Sequence, residues 1–149
     1  MQNTEVFFAA PNRRYSAMGQ MIKKPCSDTN IITLPESDDS TLCVTYTNIV
    51  DVEEYETCVC EPIAEMVDKG HKFGMLVNYD DEYKGWSKEA AARSFQFIID
   101  HGKYARKFAY VNPPEARIFQ VKMTRKLFGG EIRFFEAGKL DEALQWIKN

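Results

Sequence analysis

The stretch from Phe73 to Ala92, FGMLVNYDDEYKGWSKEAAA, restricts the folds open to this chain more than any other. Phe73 to Val77 is an apolar run of strand length, suited to burial on both faces of a sheet. It stops at Asp80, Asp81 and Glu82, passes Gly85 and Trp86, and reaches Ser87. Ser87, followed by Glu89 and a run of alanines, reads as a helix start whose serine oxygen accepts an orphan backbone N–H. A strand, an acidic turn and a helix start in that order belong to an open α/β sheet. In such sheets ligands collect at the carboxyl ends of the strands.

The remaining segments support that junction. Asn30 to Leu34 and Thr41 to Val50 read as two strands joined by the turn-rich PESDDS, together an antiparallel hairpin. Asp51 is a good N-cap for a helix that runs to about Lys69 and stops at Gly70. The helix opened by Ser87 runs to about Tyr104. Its core side reads as Ala91, Phe95, Ile98, Ile99 and Gly102, with Ala90, Ser94, Phe97, His101 and Tyr104 as a neighbouring stripe. Phe108 to Val111 is the next strand, halted by Asn112, Pro113 and Pro114. A helix over Ala116 to Phe128 ends at Gly129-Gly130, read as its cap. Glu131 to Glu136 is the last strand, and Leu140 to Ile147 a closing amphipathic helix. The order β-β-α-β-α-β-α-β-α implies an α/β domain: a mostly parallel sheet of about five strands with about four helices. Residues 1–28 lack sustained periodicity and read as a dispensable extension, with Met18 and Met21 as alternative starts; residues 29–149 form the domain.

Charge is divided along the chain. Pro25 to Asp68 holds eleven acids and no Lys or Arg, whereas His101 to Phe128 holds seven basic residues and one acid, Glu115. The acidic half and the net charge of −3 argue against general nucleic-acid binding. No apolar run approaches the ~20 residues of a membrane helix, and Val6 to Ala10 lacks the basic flank of a secretory signal. The default address is cytoplasmic. Cys58 and Cys60 lie about 200° apart around a helix and cannot bridge each other. With no CxxC, and no ligand spacing at His71 or His101, the expectation is reduced structural thiols and no metal site.

Three segments carry a family resemblance: the helix with Asp51, Tyr55 and Pro62, the central LVNYDDEYKGW, and the closing EIRFFEAGKLDEALQWIKN. In that order they resemble the SpoIIAA-like proteins, a small bacterial group related to STAS domains and, more distantly, to CRAL-TRIO lipid-binding domains. The resemblance covers about 120 of the 149 residues and implies a STAS-like fold without an established catalytic activity. STAS anti-sigma-factor antagonists carry a phosphorylatable serine where the loop meets the second helix. Ser87 stands at the matching place without the Asp-Ser-Ser-Gly type of context, so its expected role is the cap.

Catalytic machinery is not visible: there is no nucleophile elbow, no phosphate-cradling glycine loop, and no base placed to activate Ser or Cys. No cofactor is implied. Asp80 and Asp81 read as a solvated turn beside a helix dipole, or with Ser87 as part of a contact loop. The Ala116 to Phe128 helix spreads apolar side chains around most of its circumference, with Lys122, Arg125 and Lys126 on the remaining arc. Such a helix covers a cavity or meets a partner. The first expectation is a non-enzymatic domain that takes a small amphipathic or lipid-like anion between the second and third helices. Trp86, Phe97, His101, Tyr104, Phe119 and Met123 would contact it, and Arg125 or Lys126 would hold its head group. The second is a regulatory protein-interaction module using Asp80, Asp81, Ser87 and the following helix; an enzyme is a distant third. A homodimer through an exposed helix or sheet edge remains open.

Overall fold

A computed structural model describes residues 25–149. The alternative starts at Met18 and Met21, the Val6 to Ala10 run and most of the expected extension lie outside the described residues. Five strands form the main sheet in the order β1-β2-β4-β6-β7. They are β1 (Ile31–Thr33), β2 (Thr41–Tyr46), β4 (Phe73–Tyr79), β6 (Ala105–Val111) and β7 (Glu131–Phe135). All neighbours are parallel except β1 with β2, the expected opening hairpin. β4 lies in the middle and is buried at every position but Asn78, as its unbroken apolar run requires. Two short strands, β3 (Ile49–Val50) and β5 (Gly85–Trp86), pair in parallel beside the sheet.

Helices cover both faces. α1 (Val52–Tyr55) and α2 (Glu61–Asp68) form one rod joined by a π-helical turn, Glu56–Cys60. The wide turn adjoins Pro62, which has no N–H to continue an α-helical ladder. Asp51 and Glu54 form a capping box at the start, and Gly70 closes the end at φ +88°. The rod packs with α3 (Lys88–His101) and α4 (Glu115–Met123) on one face of the sheet. α5 (Leu140–Lys148) alone covers the other, burying Ala143 and Ile147 against Cys43, Leu76, Ala109 and Phe135.

Three local readings need correction. α3 is rotated from its expected setting: Ala90, Ser94, Phe97 and Ile98 are buried, while Phe95 and Ile99 are exposed. Ser94 can enter the core because its hydroxyl donates to the Ala91 carbonyl at 2.8 Å. Gly129 and Gly130 are not a helix cap, for α4 already ends at Met123 and a 3-10 turn, Arg125–Leu127, follows. A Cβ on Gly129 would fall 2.2 Å from the Lys103 carbonyl oxygen, and one on Gly130 2.1 Å from that of Arg106. The pair is a seam where two backbones meet. The thiols are not all reduced either: Cys26 is bonded to Cys58, while Cys43 and Cys60 are free and buried. Cys58 could not reach Cys60, but the sequence left Cys26 out of consideration.

The disulfide pins the last residues of the expected extension to the helical rod, closing a separation of 32 residues. Reduction, or the C26S/C58S pair, is expected to cost about 3 kcal/mol, read as a lower denaturant midpoint. G129A is expected to cost ~2 kcal/mol or more, since carbonyl backbone cannot yield as a side chain can.

Candidate functional site

The alternation of side chains along parallel strands fixes what lies at their carboxyl ends. On the face under α3 and α4, β2 presents Tyr46, β4 presents Met75, Val77 and Tyr79, and β6 presents Phe108 and Tyr110. Tyr46 stands opposite Tyr79 in the register, and their rings meet edge to face at 5.5 Å. Tyr55 enters from the rod, and Ser94, Phe97 and Ile98 from α3. Trp86 comes from β5, whose pairing with Val50 of β3 holds the indole across the strand ends. It lies 5.9 Å from Tyr55 and 6.2 Å from Tyr46. Tyr83 lies alongside, edge to face with Tyr79 at 4.9 Å and stacked on Tyr46 at 6.4 Å.

Arg117 closes this ring. Asn112 turns the chain after β6 with φ +57°, and its side-chain amide donates to the Tyr79 carbonyl at 3.0 Å. Pro114 then caps α4, one turn before Arg117 points inward. The guanidinium carbon lies 4.1 Å from the centre of the Trp86 ring, a cation–π contact, and the residue is only 6% exposed. The cavity enclosed by these groups leaves about 20 Å³ for the centre of a water-sized atom and opens partly to solvent. That volume accepts a water or a carboxylate-sized group, not an acyl chain.

The electrostatics are one-sided. Among the described residues Arg117 forms no salt bridge, and no carboxylate lines the cavity. Burial pushes the Tyr46, Tyr55 and Tyr110 hydroxyls well up from their ordinary value, and Tyr79 to about 12; the nearby Arg117 charge only partly offsets this. The tyrosines are therefore neutral near pH 7. Burial by itself would lower Arg117, but a guanidinium starts so far above neutrality that it stays charged here. The cavity thus carries one buried positive charge among hydroxyls and rings, an arrangement that can receive an anion and orient it by hydrogen bonds.

Of the residues expected to bind, the structure brings together Trp86 and Phe97. His101 stacks on Phe97 at 5.4 Å, behind the lining, with its Nδ1 buried and unpaired among the described residues. Tyr104, Phe119, Met123, Arg125 and Lys126 lie outside, with Phe119 66% and Met123 71% exposed. They cannot wall the cavity because α4 turns Arg117 and Val121 inward. Asp80 accepts from the Glu82 N–H in the exposed turn, and Ser87 caps α3 by accepting from the Ala90 N–H at 3.1 Å. Sequence reasoning missed Arg117. The available signal was its spacing of four from Val121, which places a cation in the buried stripe of the helix.

With the geometry in place, comparison with known proteins gives one clear result: the family model described as SpoIIAA-like matches residues 41–148. The chain belongs to the SpoIIAA-like family. A solved structure from Shewanella loihica PV-4, an uncharacterized protein of the DUF3478 family with a SpoIIAA-like fold, is similar at a TM-score of 0.56. It shares 21% identity, covering 91% of this chain and 99% of that one. At this identity the likeness carries the fold alone. No curated protein matches the chain. The family match supports a domain of the STAS type. Burial pushes the free thiols Cys43 and Cys60 up to about 12, which leaves neither primed as a nucleophile. Among the described residues no helix is long and apolar enough to cross a membrane.

The tyrosine ring has a pH signature. Tyr79 titrates at about 12 when folded against ~10 when unfolded. A folded value raised in this way stabilises the protein fully below about pH 10, and that stability is lost as pH rises through the folded value. Denaturant midpoints should hold to about pH 10 and then fall, with buried phenolate absorbance appearing only alongside unfolding. Ionisation of every tyrosine near pH 10 in a folded protein would contradict the site.

Proposed function

We propose that this SpoIIAA-like domain, without chemistry of its own, binds a small anionic group at the Arg117 cavity. The observation that carries the reading is the buried guanidinium lying over Trp86 with no carboxylate partner among the described residues. A buried cation without an anion is costly, whereas an isosteric apolar side chain is not. The cavity is small but opens partly to solvent, so a carboxylate, or the oxygens of a phosphate seated at its mouth, can reach toward Arg117. An amphipathic ligand fits this reading if its head group enters the cavity and its apolar body stays outside.

The second reading, a regulatory protein-interaction module, is favoured by the family and by the exposed acidic turn Asp81-Glu82 before the Ser87 cap. The cysteine pair bears on the compartment. A lasting Cys26–Cys58 bridge belongs to an oxidising environment, so a cytoplasmic protein would carry these two residues as thiols.

Acetate, inorganic phosphate and octyl phosphate, titrated in turn, test the reading through the thermal midpoint. At least one should raise it in proportion to the logarithm of its concentration above the dissociation constant. In R117M the response should vanish while the unliganded midpoint holds or rises. A wild-type midpoint indifferent to all three anions, or an R117M response equal to wild type, would remove the anion site. Survival of partner binding in W86A would then favour the interaction module.

A further inference from the structure

We infer that the outer face of α4 and the turn after it form a docking surface for an anionic lipid bilayer. Phe119 and Met123 stand four residues apart on one side of the helix and, among the described residues, are the two most exposed large apolar side chains, at 66% and 71%. Leu127 and Tyr104 are also exposed. The turns that carry them are fastened together, for the Gly129 N–H donates to the Gly102 carbonyl at 2.9 Å. Apolar side chains therefore project from adjoining elements at one end of the molecule.

Cations surround them. Lys122, Arg125, Lys126 and Lys103 are exposed, and none forms a salt bridge among the described residues. From Ala116 through Gly130 the sequence contains no acid. Lys103 rests over the Tyr104 ring at 5.2 Å, its charge still free to reach outward. Apolar side chains projecting among long, flexible cations suit the boundary between phosphates and acyl chains, where apolar tips enter and the cations stay at the head groups.

Charge selects among occupants. A second copy docking symmetrically through this face would set the same cations against each other. An anionic bilayer answers both the apolar tips and the cations, and does so over an extended surface. The rest of the chain enforces the orientation: net charge is −3, and Pro25 to Asp68 has eleven acids without a single Lys or Arg. Among the described residues, the acid-free stretch from Ala116 through Gly130 is suited to approach such a membrane. This surface is independent of the Arg117 cavity and stands whether or not that cavity binds an anion.

Co-sedimentation of the full chain with lipid vesicles tests it. Binding to vesicles of phosphatidylcholine mixed with phosphatidylglycerol should exceed binding to phosphatidylcholine alone by tenfold or more, on the order expected when several basic residues act together. The triple variant K122E/R125E/K126E should abolish that preference. F119D/M123D should lower binding to the mixed vesicles by about tenfold at an unchanged thermal midpoint, because both side chains are already in solvent. R117M should bind vesicles as wild type does. Equal binding to the two vesicle types, no binding to either, or undiminished binding by the charge-reversed variant would overturn the proposal. So would a dimer in gel filtration that F119D/M123D disperses, or capture of an acidic amphipathic peptide by a protein that ignores both vesicles.

Discussion

Burial of β4 on both faces is the constraint from which the rest of the structure follows. A strand with Phe73, Met75, Val77 and Tyr79 on one side and Leu76 on the other cannot lie at an edge or face water. It demands a partner strand on each side and a helical layer above and below. β2 and β6 supply the strands, and the crossovers between the parallel strands carry the helices. The two layers are unequal. α5 alone covers the smaller cluster, whereas the rod, α3 and α4 share the larger one. Three elements meeting over one sheet leave an interstice at the strand ends, and the cavity occupies it.

What fills that interstice is determined by register. Tyrosine at the last position of β2 and β4, paired in the register, and at the penultimate position of β6, opposite Val77, gathers three hydroxyl-bearing rings at the carboxyl ends of the strands. Their rings pack the walls of the cavity, each carrying a polar hydroxyl into an otherwise apolar lining. Trp86 and Arg117 reach this point from separate loops, each fixed by backbone pairing: Trp86 by the two-residue ladder with β3, Arg117 by the turn that Asn112 ties to the end of β4. The site is thus assembled from strand ends, as expected for an open α/β sheet.

The sequence made legible whatever depends on neighbours along the chain. The run at Phe73, the capping set at Asp51, the Ser87 cap and the Gly70 stop are local signals with local causes, and each falls where it was expected. Failures came where the cause is distant. The rotation of α3 depends on packing against the rod, where Arg93 binds Glu56 at 2.7 Å, and no count of apolar residues records that anchor. Ser94 was placed in a stripe beside the core face, because its hydroxyl is satisfied only once the helix exists. Cys26 and Cys58 meet because β1 carries the chain back across the rod. Phe119 and Met123 were taken for pocket walls because an apolar residue on a helix is usually inside. Here the inward stripe began with a cation.

That substitution of a cation for an apolar residue is the feature that packing does not explain. The interior around Arg117 is otherwise apolar or phenolic, and a methionine or leucine could occupy the same place against Trp86 without taking a charge out of water. Hydroxyls and an indole face soften the cost of the charge, but neither neutralises it, since the tyrosines stay protonated. Stability therefore gives no reason for the guanidinium. Its presence where three strands end, in a gap left by unequal helical layers, is what the proposed anion site would account for, with a bound anion supplying the charge that the described residues lack.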